Sequence, residues 1–328
     1  MRRDVHEPSR WLERALRWLA LFLIMTPAIR GADTPSTPWN PSRSAGLQTL
    51  VSRAAADTLA RFSSQGLKPD ELAVTVVDLT EPSRPDWASY RGDVAIYPAS
   101  VVKLFYLVAT HRWLEDGRLD DTTELRRAMS DMIVDSSNDA THYLVDLLTG
   151  TTSGPELTDD ALRAWADQRN AVNRYFAAQG FTNINVNKKP WGDGPYGREI
   201  QAIQRFQPSR NWLTTEATAR LLSEIATGHA ITPERSARMM SLLARDVYAP
   251  VKDAEDQTHG FTGIALLEPR REGVRLWSKA GWTSQTRHDA AYLELPDGRK
   301  LVTVVFTTGH AQEREIIPSM VRVVLEGK

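Results

Sequence analysis

Ser100 and Lys103 are the first pair of residues whose types and spacing could perform acyl transfer. They lie at the start of a predicted helix that follows Pro98. Residues three apart lie on one face of a helix, so we expect the lysine amine beside the serine hydroxyl. An amine held in a water-poor cleft can deprotonate a serine and activate it as a nucleophile. Considered alone, the pair also fits a helix-capping serine followed by a solvated lysine.

The sequence Ser136-Ser137-Asn138 provides a second set of polar groups, in a loop between two predicted helices. A loop position lets the side chains of Ser136 and Asn138 point into a cleft. The Ser136 hydroxyl could pass a proton to a leaving nitrogen, and the Asn138 amide could hold Lys103 and a substrate carbonyl. Helix capping is the alternative role for such residues in front of an apolar helix.

The sequence Lys279-Ala280-Gly281 is the third set and lies on a predicted strand, where Lys279 and Gly281 face the same way. A lysine there can attract a substrate carboxylate. A glycine lets a substrate backbone lie along the strand edge. The alternative is a solvated lysine that protects an edge strand from aggregation.

In this order the three segments resemble the S-x-x-K, S-x-N and K-[ST]-G motifs of class A β-lactamases and penicillin-binding proteins. The resemblance extends from about residue 45 to the C-terminus and includes Tyr97-Pro98-Ala99 in front of Ser100. It implies a serine that is acylated by a β-lactam or a peptidoglycan-like peptide. It also implies an oxyanion hole formed by the backbone N–H groups of Ser100 and Trp282.

The third motif departs from the family pattern, because Ala280 stands where the family has Thr or Ser. Thr283 or Ser284 could supply the missing hydroxyl. Arg287 and His288 lie where the family often has a cation that binds the substrate carboxylate. A structural role at the end of a strand is the alternative for His288.

The resemblance also implies a carboxylate that activates the deacylating water, within a Glu-x-x-Leu-Asn sequence. Glu199 lies in a predicted loop at a suitable distance before Thr214-Thr215, but Ala202-Ile203 replaces Leu-Asn. Glu199 could act as a general base or pair with Arg198 or Arg205 on the surface. Without the base, the acyl-enzyme would persist, as it does in penicillin-binding proteins.

The patterning of apolar residues predicts strands near both ends of the chain and helices in its middle. This arrangement predicts an α+β fold of three layers: an antiparallel sheet built from both chain ends, flanked by helices, with an inserted all-helical subdomain. The predicted strands are 71–79, 93–97, 274–282, 290–295 and 300–309. The predicted helices are 47–62, 98–117, 122–134, 138–150, 161–180, 215–225, 233–243 and 318–327.

The N-terminal residues predict export. Arginines precede an uncharged run at 18–29, which is too short for a comfortable membrane span, so residues 1–32 are predicted to be a signal peptide or an N-terminal anchor. Residues 33–44 form a Pro- and Thr-rich linker, and 45–328 one domain with an α/β part (45–99 and 230–328) and a helical part (100–229). We expect an exported protein that is periplasmic, in the cell envelope or extracellular, with membrane association only through the N-terminal segment.

The composition indicates which classes of partner to expect. The 40 Lys and Arg residues balance 41 Asp and Glu residues, so nucleic acid is not an expected partner. The chain has no cysteine, and no residue cluster has metal-ligand spacing, so neither a metal nor a cofactor is expected. The sequence predicts a hydrolase of a small or peptidoglycan-derived amide, most simply a β-lactam. The alternatives are a D,D-peptidase and a catalytically impaired homologue that binds wall fragments.

Overall fold

Seven strands form one sheet in the order β1-β3-β2-β7-β6-β5-β4. The computed structural model describes residues 39–192 and 194–327, and the predicted signal or anchor at 1–32 lies outside this part. All neighbouring strands are antiparallel except β1 and β3. The strands are β1 (Ser42–Arg43), β2 (Leu72–Asp78), β3 (Asp86–Tyr90), β4 (Ala244–Arg245), β5 (Arg275–Trp282), β6 (Thr286–Glu294) and β7 (Lys300–Thr308).

Eleven α-helices lie in the described part of the chain. A 3-10 helix, Ala99–Val102, directly precedes the second of them. The helices are α1 (Ala45–Arg61), α2 (Lys103–Glu115), α3 (Thr123–Ile133), α4 (Asn138–Thr149), α5 (Asp159–Arg169), α6 (Ala171–Ala178), α7 (Arg198–Arg205), α8 (Thr215–Ala226), α9 (Pro233–Leu243), α10 (Thr262–Leu267) and α11 (Ile316–Glu326).

The sheet is buried on both faces because its central strands carry apolar residues at successive positions. In β7, Val302 and Val304 pack with the helices of the middle of the chain, whereas Leu301 and Val305 pack with α1 and α11. Side chains alternate between the faces of a strand, so such a strand holds two helical layers together. The predicted α+β fold of three layers, with strands from both chain ends, is confirmed.

The predicted strand at 93–97 is wrong. The N–H of Val94 donates to the carbonyl of Arg91 in a turn, and Ile96 forms only an isolated bridge with Leu213. The second strand along the chain is instead β3, which pairs with β2. Most of β3 is only half-buried, so its residues lack the apolar alternation that marks a strand in sequence.

Two helical predictions also need correction. The helix predicted over 161–180 is divided at Asn170, whose side-chain oxygen accepts hydrogen bonds from Asn173 and Asn187. Asparagine favours such local bonds over a continuous helix. The loop predicted around Glu199 forms the short helix α7.

The domain boundaries and the export of the protein stay predictions. Ser42 and Arg43, at the end of the predicted linker, form β1. Within residues 39–192 and 194–327, no helix has the length and apolar character needed to cross a bilayer.

Candidate active site

Ser100 lies in the 3-10 helix that continues into α2. Its neighbours Ala99 and Val101 are buried, while Ser100 itself is half-exposed. Ala99 has φ +46°, in the left-handed region that residues with a Cβ rarely adopt. Backbone strain of this kind persists where the surrounding structure over-determines a position, and it clusters at functional sites. The buried neighbours therefore hold Ser100 at a partly exposed position, and within the described residues its hydroxyl forms no hydrogen bond with Lys103 or any other group.

Lys103 begins α2 and is 0% exposed. Its Nζ donates to the side chain of Asn138 at 2.9 Å, to Ser136 Oγ at 3.3 Å and to the Ser136 carbonyl. Burial lowers the pKa of Lys103 to about 7. A large fraction of this amine is therefore neutral near neutral pH and able to accept a proton. In the part of the chain that the structure describes, no carboxylate lies within ion-pairing distance of Lys103.

The second motif divides its tasks between adjacent residues. Ser137 is the N-cap of α4, where its hydroxyl accepts a hydrogen bond from the N–H of Ala140 at 3.1 Å. This cap leaves the side chains of Ser136 and Asn138 free to contact Lys103. Ser136 has φ +56°, a second left-handed residue in the site. Ser137 therefore caps the helix, whereas Ser136 and Asn138 contact Lys103 in the cleft.

Lys279 reaches the same hydroxyl from β5. It is 0% exposed, and its Nζ donates to Ser136 Oγ at 3.0 Å, to the Ala280 carbonyl at 2.9 Å and to Gln257 Oε1. Burial, and then the positive charge of Lys103, hold the pKa of Lys279 well below its usual range. The Ser136 oxygen therefore has an amine donor at each of its two acceptor positions, and its O–H stays available to donate.

Gly281 lets β5 approach the backbone at Ser100. A Cβ on this residue would lie 2.7 Å from the carbonyl oxygen of Pro98 and 3.0 Å from the backbone nitrogens of Ser100 and Val101. Real Cβ atoms essentially never come that close to backbone, so only glycine fits here. The sequence predicts that Gly281 makes room for the backbone of a substrate. In the structure, the backbone of the chain itself, at Ser100, lies against Gly281.

The outer edge of β5 is open beyond Trp277. No described strand pairs with that edge past the short β4, which ends opposite Leu276 and Trp277. Side chains cover much of it: Arg245 donates to the Ser278 carbonyl at 3.0 Å, and Gln257 and Lys279 bind the N–H and C=O of Ala280. Backbone groups of alternate residues point to the same edge, so Trp282 presents its N–H and C=O there.

His288 lies inside the sheet, with 0% exposure. Its Nδ1 accepts from the N–H of Thr307 at 3.1 Å, which leaves Nε2 to donate to the Tyr97 carbonyl at 2.9 Å. Burial lowers the pKa of His288 to about 4, so the ring is neutral. It is a positioning residue that ties β6 to the segment before Ser100, and the expected cation that binds substrate is absent at this position.

Arg287 is 1% exposed and is used internally. It pairs with Glu255 at 2.7 Å and donates to the backbone carbonyls of Gly260 and Ala311. Such a guanidinium has little capacity left for a substrate carboxylate, which corrects the expected role.

The residues after the third motif form the turn between β5 and β6. The Thr283 hydroxyl hydrogen-bonds Thr286 and accepts the N–H of Gln285 at 3.1 Å, so it stabilises the turn in place of serving the cleft. Ser284 is exposed. Trp282 is 44% exposed, and its indole N–H donates to the Ala311 carbonyl at 3.2 Å.

Glu199 belongs to a buried ion-pair cluster. Its carboxylate accepts from Arg169 at 2.7 Å and from the Ser153 hydroxyl at 2.9 Å, with Lys189 at 3.8 Å. Asp146 pairs with both cations. The expected surface pairing of Glu199 with an arginine of its own helix is wrong. Arg198 donates to the Pro155 carbonyl, and Arg205 pairs with Asp159.

Gln257 is a site residue that the sequence did not indicate. Its Oε1 accepts from Lys279 Nζ and, at 3.3 Å, from the Ala280 N–H. Its Nε2 donates to the carbonyls of Ile133 and Val134, which lead into the second motif. A glutamine in a polar loop carries no sequence signal for such a position.

No group of three His, Cys, Asp or Glu residues within residues 39–192 and 194–327 could hold a metal ion. The arrangement offers proton transfer and acylation by serine and lysine side chains. The fold and this site define a serine hydrolase that acts on amide bonds.

The chain belongs to the β-lactamase enzyme family, whose model matches residues 54–326. A β-lactamase from Sphaerobacter thermophilus shares 20% identity and a TM-score of 0.61, over 84% of this chain and 96% of that one. For PBP-A the identity is 17%, the TM-score 0.59 and the coverage 88% and 97%. A class A β-lactamase from Bacteroides cellulosilyticus has 16% identity and a TM-score of 0.56, over 86% of this chain and 98% of that one. These likenesses show a common fold, and no curated protein matches the chain.

The pH dependence of Ser100 acylation should report the pKa of Lys103, which burial lowers to about 7. The expected base is the neutral amine of Lys103, so the rate should fall about tenfold for each pH unit below that pKa and level off above it. The measurement is nitrophenol release from an activated nitrophenyl ester, with Ser100→Ala as background. Lys103→Arg, which stays protonated, should be inactive. A wild-type rate that keeps rising towards the ordinary lysine pKa would contradict this prediction.

Gly281→Ala should displace the nucleophile without unfolding the protein. The added methyl group meets backbone atoms at 2.7 and 3.0 Å, so Ser100 must shift, and we expect about a 100-fold loss of ester reactivity. Gly46→Ala is the matched control, since its new Cβ would meet only Ser44 Oγ at 4.0 Å. Ester kinetics and the midpoint of urea unfolding should be measured together. Wild-type kinetics in Gly281→Ala would show that this contact does not position Ser100.

Proposed function

We propose that Ser100 attacks the carbonyl carbon of a β-lactam, or of a related cyclic or peptide amide, and forms an acyl-enzyme. The observation that carries the proposal is the Ser136 hydroxyl held between the amines of Lys103 and Lys279, at 3.3 and 3.0 Å. The Ser100 hydroxyl proton passes to neutral Lys103 as the ester bond forms. Ser136 gives its proton to the leaving nitrogen as the C–N bond breaks, and recovers one from Lys103.

The backbone N–H groups of Ser100 and Trp282 are the proposed donors to the developing oxyanion. Two features support them: the Gly281 backbone packs against Ser100, and the strand alternation aims the Trp282 N–H at the open edge. Two donors fixed in advance stabilise the negative charge of the tetrahedral intermediate without reorganisation.

We also propose that the acyl-enzyme is deacylated slowly. Lys103 has no carboxylate partner among the described residues, and Glu199 is paired with Arg169 and Lys189. The Oε1 atom of Glu199 already accepts hydrogen bonds from Arg169 and Ser153, which compete with a deacylating water for this carboxylate. A mutant of PBP-A, also a structural neighbour, has been solved as an acyl-enzyme complex with penicillin G. We propose that this chain also forms a long-lived adduct.

Intact-mass spectrometry after incubation with benzylpenicillin, or with its methyl ester, tests the proposal. We expect a one-to-one adduct in the wild type that is lost in Ser100→Ala, with a peptide map that places it on Ser100. Release of D-alanine from a peptide ending in D-Ala-D-Ala would identify a D,D-peptidase instead. If folded protein formed no adduct, hydrolysed no penicillin and released no D-alanine, only a non-catalytic binding domain would remain.

Glu199→Gln should lower stability and leave the half-life of the adduct unchanged. Removing one charge from a buried ion pair costs about 3–5 kcal/mol in the free energy of unfolding. Glu234→Gln is the control, because Glu234 forms an exposed pair with Arg238 whose loss should have little effect. Urea unfolding and the decay of the adduct mass are the two measurements. A longer-lived adduct at unchanged stability would instead make Glu199 the deacylating base.

A further inference from the structure

Gln257 occupies the part of the cleft edge where a substrate anion would find its donors. Its carboxamide oxygen accepts from Lys279 Nζ and from the Ala280 N–H. A carboxylate oxygen bound at the third motif could accept hydrogen bonds from these same two donors. The other end of the carboxamide is fixed by the carbonyls of Ile133 and Val134, at 3.0 and 2.7 Å. The side chain is therefore held in place from both ends.

The ammonium of Lys279 has no donor left for a ligand. A lysine has three N–H groups, and those of Lys279 are directed to Ser136 Oγ, Gln257 Oε1 and the Ala280 carbonyl. Its 0% exposure means that an incoming carboxylate could reach it only by displacing Gln257 or Ser136. Displacing Ser136 would also remove the hydroxyl that serves the leaving nitrogen.

The two neighbouring arginines also have partners within the protein. Arg287 pairs with Glu255 and is 1% exposed. Arg245 directs one guanidinium nitrogen to the carbonyls of Ile133 and Ser278, at 3.1 and 3.0 Å. Ala280 offers no hydroxyl. A carboxylate entering here would lose its hydration and would have to compete with these carbonyls and with Glu255 for a cation, which disfavours its binding.

We infer that Gln257 is a specificity-determining residue whose carboxamide takes the place of a substrate carboxylate, so that the site prefers acyl donors with no free carboxylate beside the scissile amide. The inference rests on the proposed acylation of Ser100 and specifies which substrates perform it. Esters, amides and other neutral acyl compounds suit the edge beside Trp282, because they do not need a hydrogen bond from Lys279.

A matched pair of substrates tests the inference: benzylpenicillin and its methyl ester, in which a methyl group replaces the negative charge of the carboxylate. The second-order rate constant for adduct formation should be measured for both by intact mass. In the wild type we expect the ester to react at least about tenfold faster than the acid, which is the size of one charged hydrogen bond.

Two substitutions should move the ester-to-acid ratio in opposite directions. Gln257→Ala frees Lys279 and the Ala280 N–H, so the ratio should fall by about tenfold. Gln257→Glu puts a negative charge against Lys279 and should raise the ratio by repelling the acid. Gln65→Ala, on an exposed residue of a 3-10 helix far along the chain, is the control and should keep the wild-type ratio. General damage to the fold cannot produce opposite shifts.

The outcomes separate this inference from the proposed function. If folded wild-type protein neither forms an adduct with either penicillin compound nor hydrolyses it, the acylation proposal fails and this inference fails with it. If adducts form but the acid reacts as fast as the ester, or if the two substitutions move the ratio in the same direction, only the role of Gln257 is overturned.

Discussion

The hydroxyl of Ser136 lies between two buried amines, and the rest of the site depends on that contact. Both amines are buried, and the loss of hydration lowers both lysine pKa values; the positive charge of Lys103 lowers the pKa of Lys279 further. The folded state accepts this destabilisation, and the result is an amine that can work as a base near neutral pH. Hydrophobic side chains at 103 and 279 would favour folding but would remove the chemistry.

The sheet and the helical layer meet at the site formed by Ser100 and Ser136. Gly281 brings β5 against the backbone of Ser100, and the neutral ring of His288 joins β6 to the Tyr97 carbonyl two residues before Ala99. Gln257 then connects β5 to the end of α3, which leads to Ser136. Three distant segments are thus fixed relative to one another by backbone contact and short polar bonds, which is the rigidity that proton transfer requires.

The sequence predicted the fold class and the three segments because helix starts, strand alternation and motif spacing are local signals. The weak strand at 86–90 was missed, because a half-buried strand shows no clear alternation. Arg287 and His288 were assigned to substrate because sequence order does not reveal burial, and both lie inside the molecule. Gln257 had no signal, since its partners are 22 or more positions away in the chain.

The open edge of β5 has a consequence for how the protein behaves in concentrated solution. An unpaired strand edge is a template on which a second chain can add its own strand and begin a fibre. Here a guanidinium, a carboxamide and an amine already occupy the carbonyl of Ser278 and both backbone groups of Ala280. The stretch left for intermolecular pairing is therefore only about one residue long, too short to nucleate a shared sheet.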